Sequence, residues 1–161
     1  MAWSASKVFR AFETDRLGAV ITWDLNAPSD SIRLALYDND ITPDPDATSA
    51  NTAYNAGQWA IAGNEVSDTT GWAAKGPTLD SVAVTNPATL VVMLDAADEV
   101  GAACTTGLTN ATGGLIFNDT ATTPVADQGI CYLYFGGSSS VGAGAALTVA
   151  FHANGIARWT V

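Results

Sequence analysis

Apolar and polar positions along this chain fall into short runs, and the commonest period is two. Residues 32–37 place Ile32, Leu34 and Leu36 on one side of an extended segment, and residues 147–152 do the same with Leu147, Val149 and Phe151. Further strand-like runs lie at 19–25, 81–85, 90–94, 115–118, 130–135 and 156–161. Turn-forming groups separate them: Ala27-Pro-Ser-Asp30, Asn110-Ala-Thr-Gly-Gly114, Gly136-Gly-Ser-Ser-Ser140 and the hairpin turn at Gly142-Ala-Gly144. Strands of this length and spacing predict a mainly β, single-domain fold, an antiparallel β-sandwich or barrel.

Two stretches break the pattern. In residues 4–17, Val8, Phe9, Phe12 and Leu17 fall near helical spacing, with Ser4 or Ser6 available as a cap, so a short helix or an extended arm is expected there. This divides the chain into an N-terminal arm or short helix, 1–18, and a β domain, 19–161. Residues 52–62, carrying Tyr54, Trp59 and Ile61, predict a helical turn limited by Gly57 and Gly63.

Composition narrows the function classes. The chain has 161 residues, 48% of them apolar and 14% charged, enough to build a core and too apolar for disorder. No apolar run approaches the roughly 18 residues of a membrane helix, so no membrane partner is expected. Sixteen acidic against six basic residues give a formal charge of −10. No basic stripe remains to neutralise phosphates, and no nucleic-acid partner is expected. The first ten residues lack the apolar stretch of a secretory signal, so synthesis in a reducing cytosol is expected, with Cys104 and Cys131 as buried thiols.

Catalytic chemistry finds few parts. His152 is the single histidine and lies in an alternating run, with no serine or cysteine motif to serve as its nucleophile. Asp38, Asp40, Asp44 and Asp46 resemble a calcium loop in outline, but Pro43 and Ser49 stand where a helix-loop-helix site requires Gly and Glu. Asp95, Asp98 and Glu99 have no second acidic cluster with which to flank a glycosidic bond. No catalytic residue, cofactor or metal site is therefore assigned. Trp3, Trp23, Trp59, Trp72 and Trp159 are scattered, as expected of core and subunit-contact residues rather than a carbohydrate platform.

Six segments in order then carry a resemblance. Asp30-Ser-Ile-Arg-Leu-Ala-Leu-Tyr-Asp38 looks like a first strand, and the segment from Asn64 to Leu79 (NEVSDTTGWAAKGPTL) resembles a pattern "NEVSGTGYTAGG". Leu94-Asp-Ala-Ala-Asp-Glu-Val100 resembles "DADDV", and Gly113-Gly-Leu-Ile-Phe-Asn-Asp119 resembles "GAVIYND". The segment from Tyr134 to Gly144 resembles an "FGG…SV…G" hairpin, and Ala153-Asn-Gly-Ile-Ala-Arg158 an "NGI" closing strand. Together they are similar to a family of small virion structural proteins of tailed bacteriophages. The Asp38 to Asp46 loop, the stretch from Tyr54 to Ile61 and both cysteines depart from that pattern.

The resemblance implies a non-enzymatic structural protein located in the virion, a capsid decoration protein bound to the major capsid protein. A tail structural protein is the alternative, as is a carbohydrate-binding surface module. A homo-oligomer, a trimer on threefold shell positions, follows from the symmetry of such a shell. Trp3, Val8, Phe9 and Phe12 form an apolar load outside the strand series and are the expected assembly contacts.

Overall fold

The computed structural model describes residues 3–26 and 29–160. In chain order the strands are β1 (Lys7–Val8), β2 (Ile32–Tyr37), β3 (Glu65–Val66), β4 (Ala83–Ala88), β5 (Val91–Asp95) and β6 (Glu99–Val100). They continue with β7 (Leu108–Asn118), β8 (Gly129–Val141), β9 (Thr148–Val149) and β10 (Ala157–Thr160). Helix α1 (Arg10–Leu17) follows β1, while α2 (Ser49–Thr52) and a 3-10 turn (Gly57–Trp59) lie between β2 and β3.

The strands form a five-stranded sheet of order β1-β8-β7-β2-β3, a three-stranded sheet β10-β5-β4 and a ribbon β6-β9, all antiparallel. The fold is thus mainly β with a short N-terminal helix, as the periodicity predicts. Among the described residues the large sheet ends in the edge strands β1 and β3, so it does not close into a barrel.

At the centre, β7 is buried from Ala111 to Asn118 and β2 over most of its length, so both faces of the sheet are covered. Register puts Tyr37, Gly113 and Tyr134 in one row and Ala35, Leu115 and Tyr132 in the next, on the same face. An aromatic cluster covers that face. Trp59 lies 5.0 Å from Tyr37 and 5.8 Å from Trp3, and Phe9 lies 5.5 Å from Tyr132, mostly edge-on or tilted. Gly113 makes this approach feasible, because a Cβ there would meet the Trp3 ring and the Leu133 carbonyl.

Several expectations are corrected here. Trp3, Phe9 and Phe12 are 5%, 0% and 1% exposed, and Val8 is half-buried in the edge strand. They are core and sheet residues rather than a free assembly surface. Of the two forms expected for segment 1–18, the short helix is present as α1, and the described residues before it are joined to the large sheet, since Lys7 and Val8 pair with Tyr132 and Cys131 and the Phe9 N–H donates to the Ile130 carbonyl. The helix begins at Arg10 with no side-chain cap, and the Ser6 hydroxyl instead accepts the Tyr134 N–H.

Residues 19–25 have the alternation of a strand but no strand beside them. Ala19 turns the chain at φ 54°, and the segment returns along α1, Trp23 lying 5.7 Å from Phe12. Conversely, Asn110-Ala-Thr-Gly-Gly114 and Gly136 to Ser140 are not turns but parts of β7 and β8. The run 147–152 contributes only the two residues of β9. The turn at Ala27-Pro28 and the strand end at Val161 lie outside the described residues.

Because Phe9 is fully buried among Trp59 and Tyr132, Phe9→Ala is expected to cost about 3–5 kcal/mol in urea unfolding. Deletion of residues 2–17 is expected to abolish the cooperative transition, and a truncated chain that unfolds like the intact one would show that the aromatic cluster is dispensable.

Candidate functional site

Two polar networks and one groove stand out in the structure. The first network fastens loops. Asp68, 4% exposed, accepts the backbone N–H groups of Gly71 (2.9 Å), Thr106 (2.8 Å), Thr105 (2.9 Å) and Thr70 (3.0 Å), and the hydroxyls of Thr70 and Thr106. These donors, that of Gly71 foremost, hold its carboxyl far below the usual carboxylate range. One side chain thereby ties the turn after β3 to the strandless stretch before β7. Its hydrogen-bonding capacity is taken up by the protein's own backbone, so it is a structural staple.

The second network lies at the end of β2. Arg33 Nε donates to Asp119 Oδ2 at 2.7 Å, Lys75 pairs with Asp119 and, at 3.2 Å, with Asp127, and the Lys75 ammonium sits over the Tyr54 ring. Partial burial alone would raise the Asp119 pKa, but Lys75 and Arg33 outweigh it and keep the carboxyl below its ordinary value. Burial would similarly lower that of Lys75, and its two carboxylate partners leave it raised instead. Glu65 is raised by burial while accepting the Tyr54 hydroxyl (2.9 Å) and the Lys75 N–H (2.6 Å). Tyr54 in turn stacks on Phe117 at 5.0 Å. Every charge in this group has an internal partner.

The groove runs between the edge of the large sheet and the edge of the small one. A cleft of about 260 Å³ separates β1 from β10, lined by Lys7 and Val8 on one wall, Ala157 and Arg158 on the other, and Cys131 and Tyr132 behind. It meets a wider cleft of about 470 Å³ at Ser6 and Ile156, where Tyr134, Phe135, Phe151 and His152 contribute. Neither cleft is lined by a single Asp or Glu. Sequence reasoning missed this site, because its walls are about 150 residues apart in the chain and only the tertiary fold brings them together.

The remaining sequence candidates fall elsewhere. His152 lies at the rim of the wider cleft, its Nδ1 accepting the Asn154 N–H. In the acidic loop, Asp38 and Asp44 accept backbone N–H groups two residues on, and Asp46 pairs with Arg10 at 2.9 Å. Among the described residues no three His, Cys, Asp or Glu side chains are grouped to hold a metal ion. Trp59 and Trp72 are buried like Trp3, while Trp23 and Trp159 are half-buried beside α1. No helix is long and apolar enough to cross a membrane among the described residues. No family model, curated protein or solved structure matches the chain.

Two outcomes test this description. The folded pKa of Asp68 lies below its unfolded value, so its contribution is complete above about pH 4 and is lost as pH falls. Asp68→Asn is therefore expected to lower stability at pH 7 and to flatten the pH dependence of urea midpoints below about pH 4; an unchanged acid limb would count against the staple. Burial raises the Cys104 thiol and pushes Cys131 up to about 12, so neither is expected to react with a thiol reagent at pH 8 until the chain unfolds.

Proposed function

We propose that the chain is a non-enzymatic structural protein of a tailed-phage virion, a capsid decoration protein that coats or stabilises the outer shell. The observation that carries this reading is the ordered set of six resembling segments, seen together with where they fall in the fold. The first is β2; the second spans β3, the Asp68 staple and the Lys75 turn; the third joins β5 to β6. The fourth lies in β7, the fifth runs through β8 to Gly144, and the last leads into β10. The resembling segments thus supply strands of both sheets and the tight turns between them, including Gly76, Gly144 and Gly155 at positive φ. A likeness spread over the framework in this way supports a shared fold more than a shared local motif.

A tail structural protein is the second placement, since the resembling family is one of small virion structural proteins. A carbohydrate-binding module is less well supported, because the rings of Trp3, Trp59 and Trp72 lie in the core and present no stacking platform. The proposed homo-oligomer also loses one of its arguments. Trp3, Trp59 and Trp72, which as large apolar groups suggested subunit contacts, are covered within a single chain.

Purified particles of a tailed phage carrying this chain provide the test. Quantitative mass spectrometry is expected to find it in stoichiometric amounts, and a cryo-EM map is expected to show its density on the outer face of the shell. Density on the tail would move the assignment to the second placement, and absence from the particles would overturn it.

A further inference from the structure

The chain from β9 to β10 passes through one exposed tight turn. The Gly155 N–H donates to the His152 carbonyl at 2.7 Å and leaves Ala153 and Asn154 at the corners, while the Asn154 N–H donates to His152 Nδ1 at 3.0 Å. Gly155 stands at φ 77°, and a Cβ there would meet the Leu94 carbonyl and the Met93 side chain. The next residue, Ile156, donates its N–H to that same carbonyl at 2.8 Å and begins the approach to β10. Packing against β5 therefore demands glycine at 155, whatever precedes it.

What precedes it is asparagine. Of the nine asparagines in the chain, Asn154 alone is followed by glycine. The pair matters chemically because the backbone nitrogen one residue on can attack the carbon of an asparagine side-chain amide and close a five-membered ring, and a following residue without a Cβ leaves that approach open. Asn154 is exposed. Its Oδ1 accepts an Arg158 guanidinium N–H at 2.6 Å, a charge-assisted bond. Ring closure puts negative charge on that oxygen, so the guanidinium stands where the charge develops. Arg158 itself has no carboxylate partner among the described residues.

We propose that Asn154 is a self-modification site, an amide that the protein converts to a carboxylate. The Gly155 N–H leaves the His152 carbonyl and gives its proton to solvent base, and the nitrogen forms a bond to Asn154 Cγ. The bond from Cγ to the side-chain nitrogen breaks, and that nitrogen departs with a solvent proton as ammonia. Water then opens the cyclic imide at either carbonyl, giving aspartate or its β-linked isomer. Arg158 stabilises the oxyanion of the first step and afterwards pairs with the new carboxylate, acquiring the partner it lacks. The turn hydrogen bond to His152 sets the pace, because the attacking nitrogen is free only while that bond is open. The β-linked product also inserts one backbone carbon at the entry to β10, on the rim of the wider cleft that His152 and Gly155 line. This inference does not depend on placement in a virion.

The test incubates the full folded chain at pH 8 and follows intact mass and released ammonia, with peptide mapping and an isoaspartate methyltransferase to locate the product. Asn154 is expected to show the mass change of an amide becoming an acid while the other eight asparagines keep their mass, and β-linked aspartate is expected at that position. Arg158→Ala is expected to slow the conversion severalfold with the thermal midpoint retained, the site being exposed, and Arg158→Lys to restore part of the rate. Asn154→Gln, whose longer side chain needs a six-membered ring, is expected to stop the reaction at that position. Gly155 is left unchanged in these variants, since a side chain there clashes with β5. An Asn154 that stays unmodified in the folded chain would overturn the proposal, and reaction of a peptide of residues 150–158 beside it would show the turn hydrogen bond to be the shield. Equal conversion of other asparagines, or a rate that Arg158→Ala leaves unchanged or raises, would overturn it as well.

Discussion

The packing of the N-terminal aromatics onto the face of the long β7–β8 pair is the constraint on which the rest of this structure depends. Trp3 reaches the sheet because Gly113 has no side chain, and its indole N–H is satisfied by the Asp38 carbonyl at 2.8 Å. Tyr37 donates its hydroxyl to the Trp59 carbonyl at 2.8 Å, which fixes the 3-10 turn over the same face. Phe9, held between Trp59 and Tyr132, then sets where α1 begins. Each ring removes a large apolar area from water, on the order of 1.5–3 kcal/mol apiece, and the edge-on geometry specifies one arrangement among many.

From that layer the remaining elements follow. Helix α1 carries Phe12 inward, and Trp159 of β10 donates to Glu13 while Arg16 lies over its ring, so the helix connects the two sheets. The loops contribute little apolar burial and are tied by charge instead, Asp68 gathering backbone donors from two separated turns and Asp119 joining β2 to the Lys75 loop. Where both sheets end, at β1 and β10, no element among the described residues covers the gap, and a cleft remains.

Much of the β character was legible in the sequence because the period-2 run at β2 and the short apolar runs that form β5 and the first part of β8 are too brief for long helices. What misled was chemistry that serves two purposes. Gly113 and Gly114 read as a turn, yet they lie within β7 because Trp3 and Leu34 occupy the space above them. Ile21, Trp23 and Leu25 alternate like a strand, yet they only pack, since their backbone has no strand neighbour. Trp3, Phe9 and Phe12 read as a surplus for assembly because nothing in the linear pattern reveals that β8 accepts a partner strand. The groove was illegible for the same reason: Lys7 and Arg158 line one cleft only once the fold brings β1 near β10.

These observations make the N-terminal segment part of the folded unit, and any assembly role must then be played by surfaces the core leaves free. Native-state hydrogen exchange tests that most directly, because the Phe9 amide is bonded to the Ile130 carbonyl and opens only when β1 leaves β8. The amides of β1 and α1 are expected to share the opening free energy of β7 from Ala111 to Phe117. Rapid exchange of residues 6–17 beside a fully protected β7 would show that the aromatic layer is peripheral, and would contradict the account.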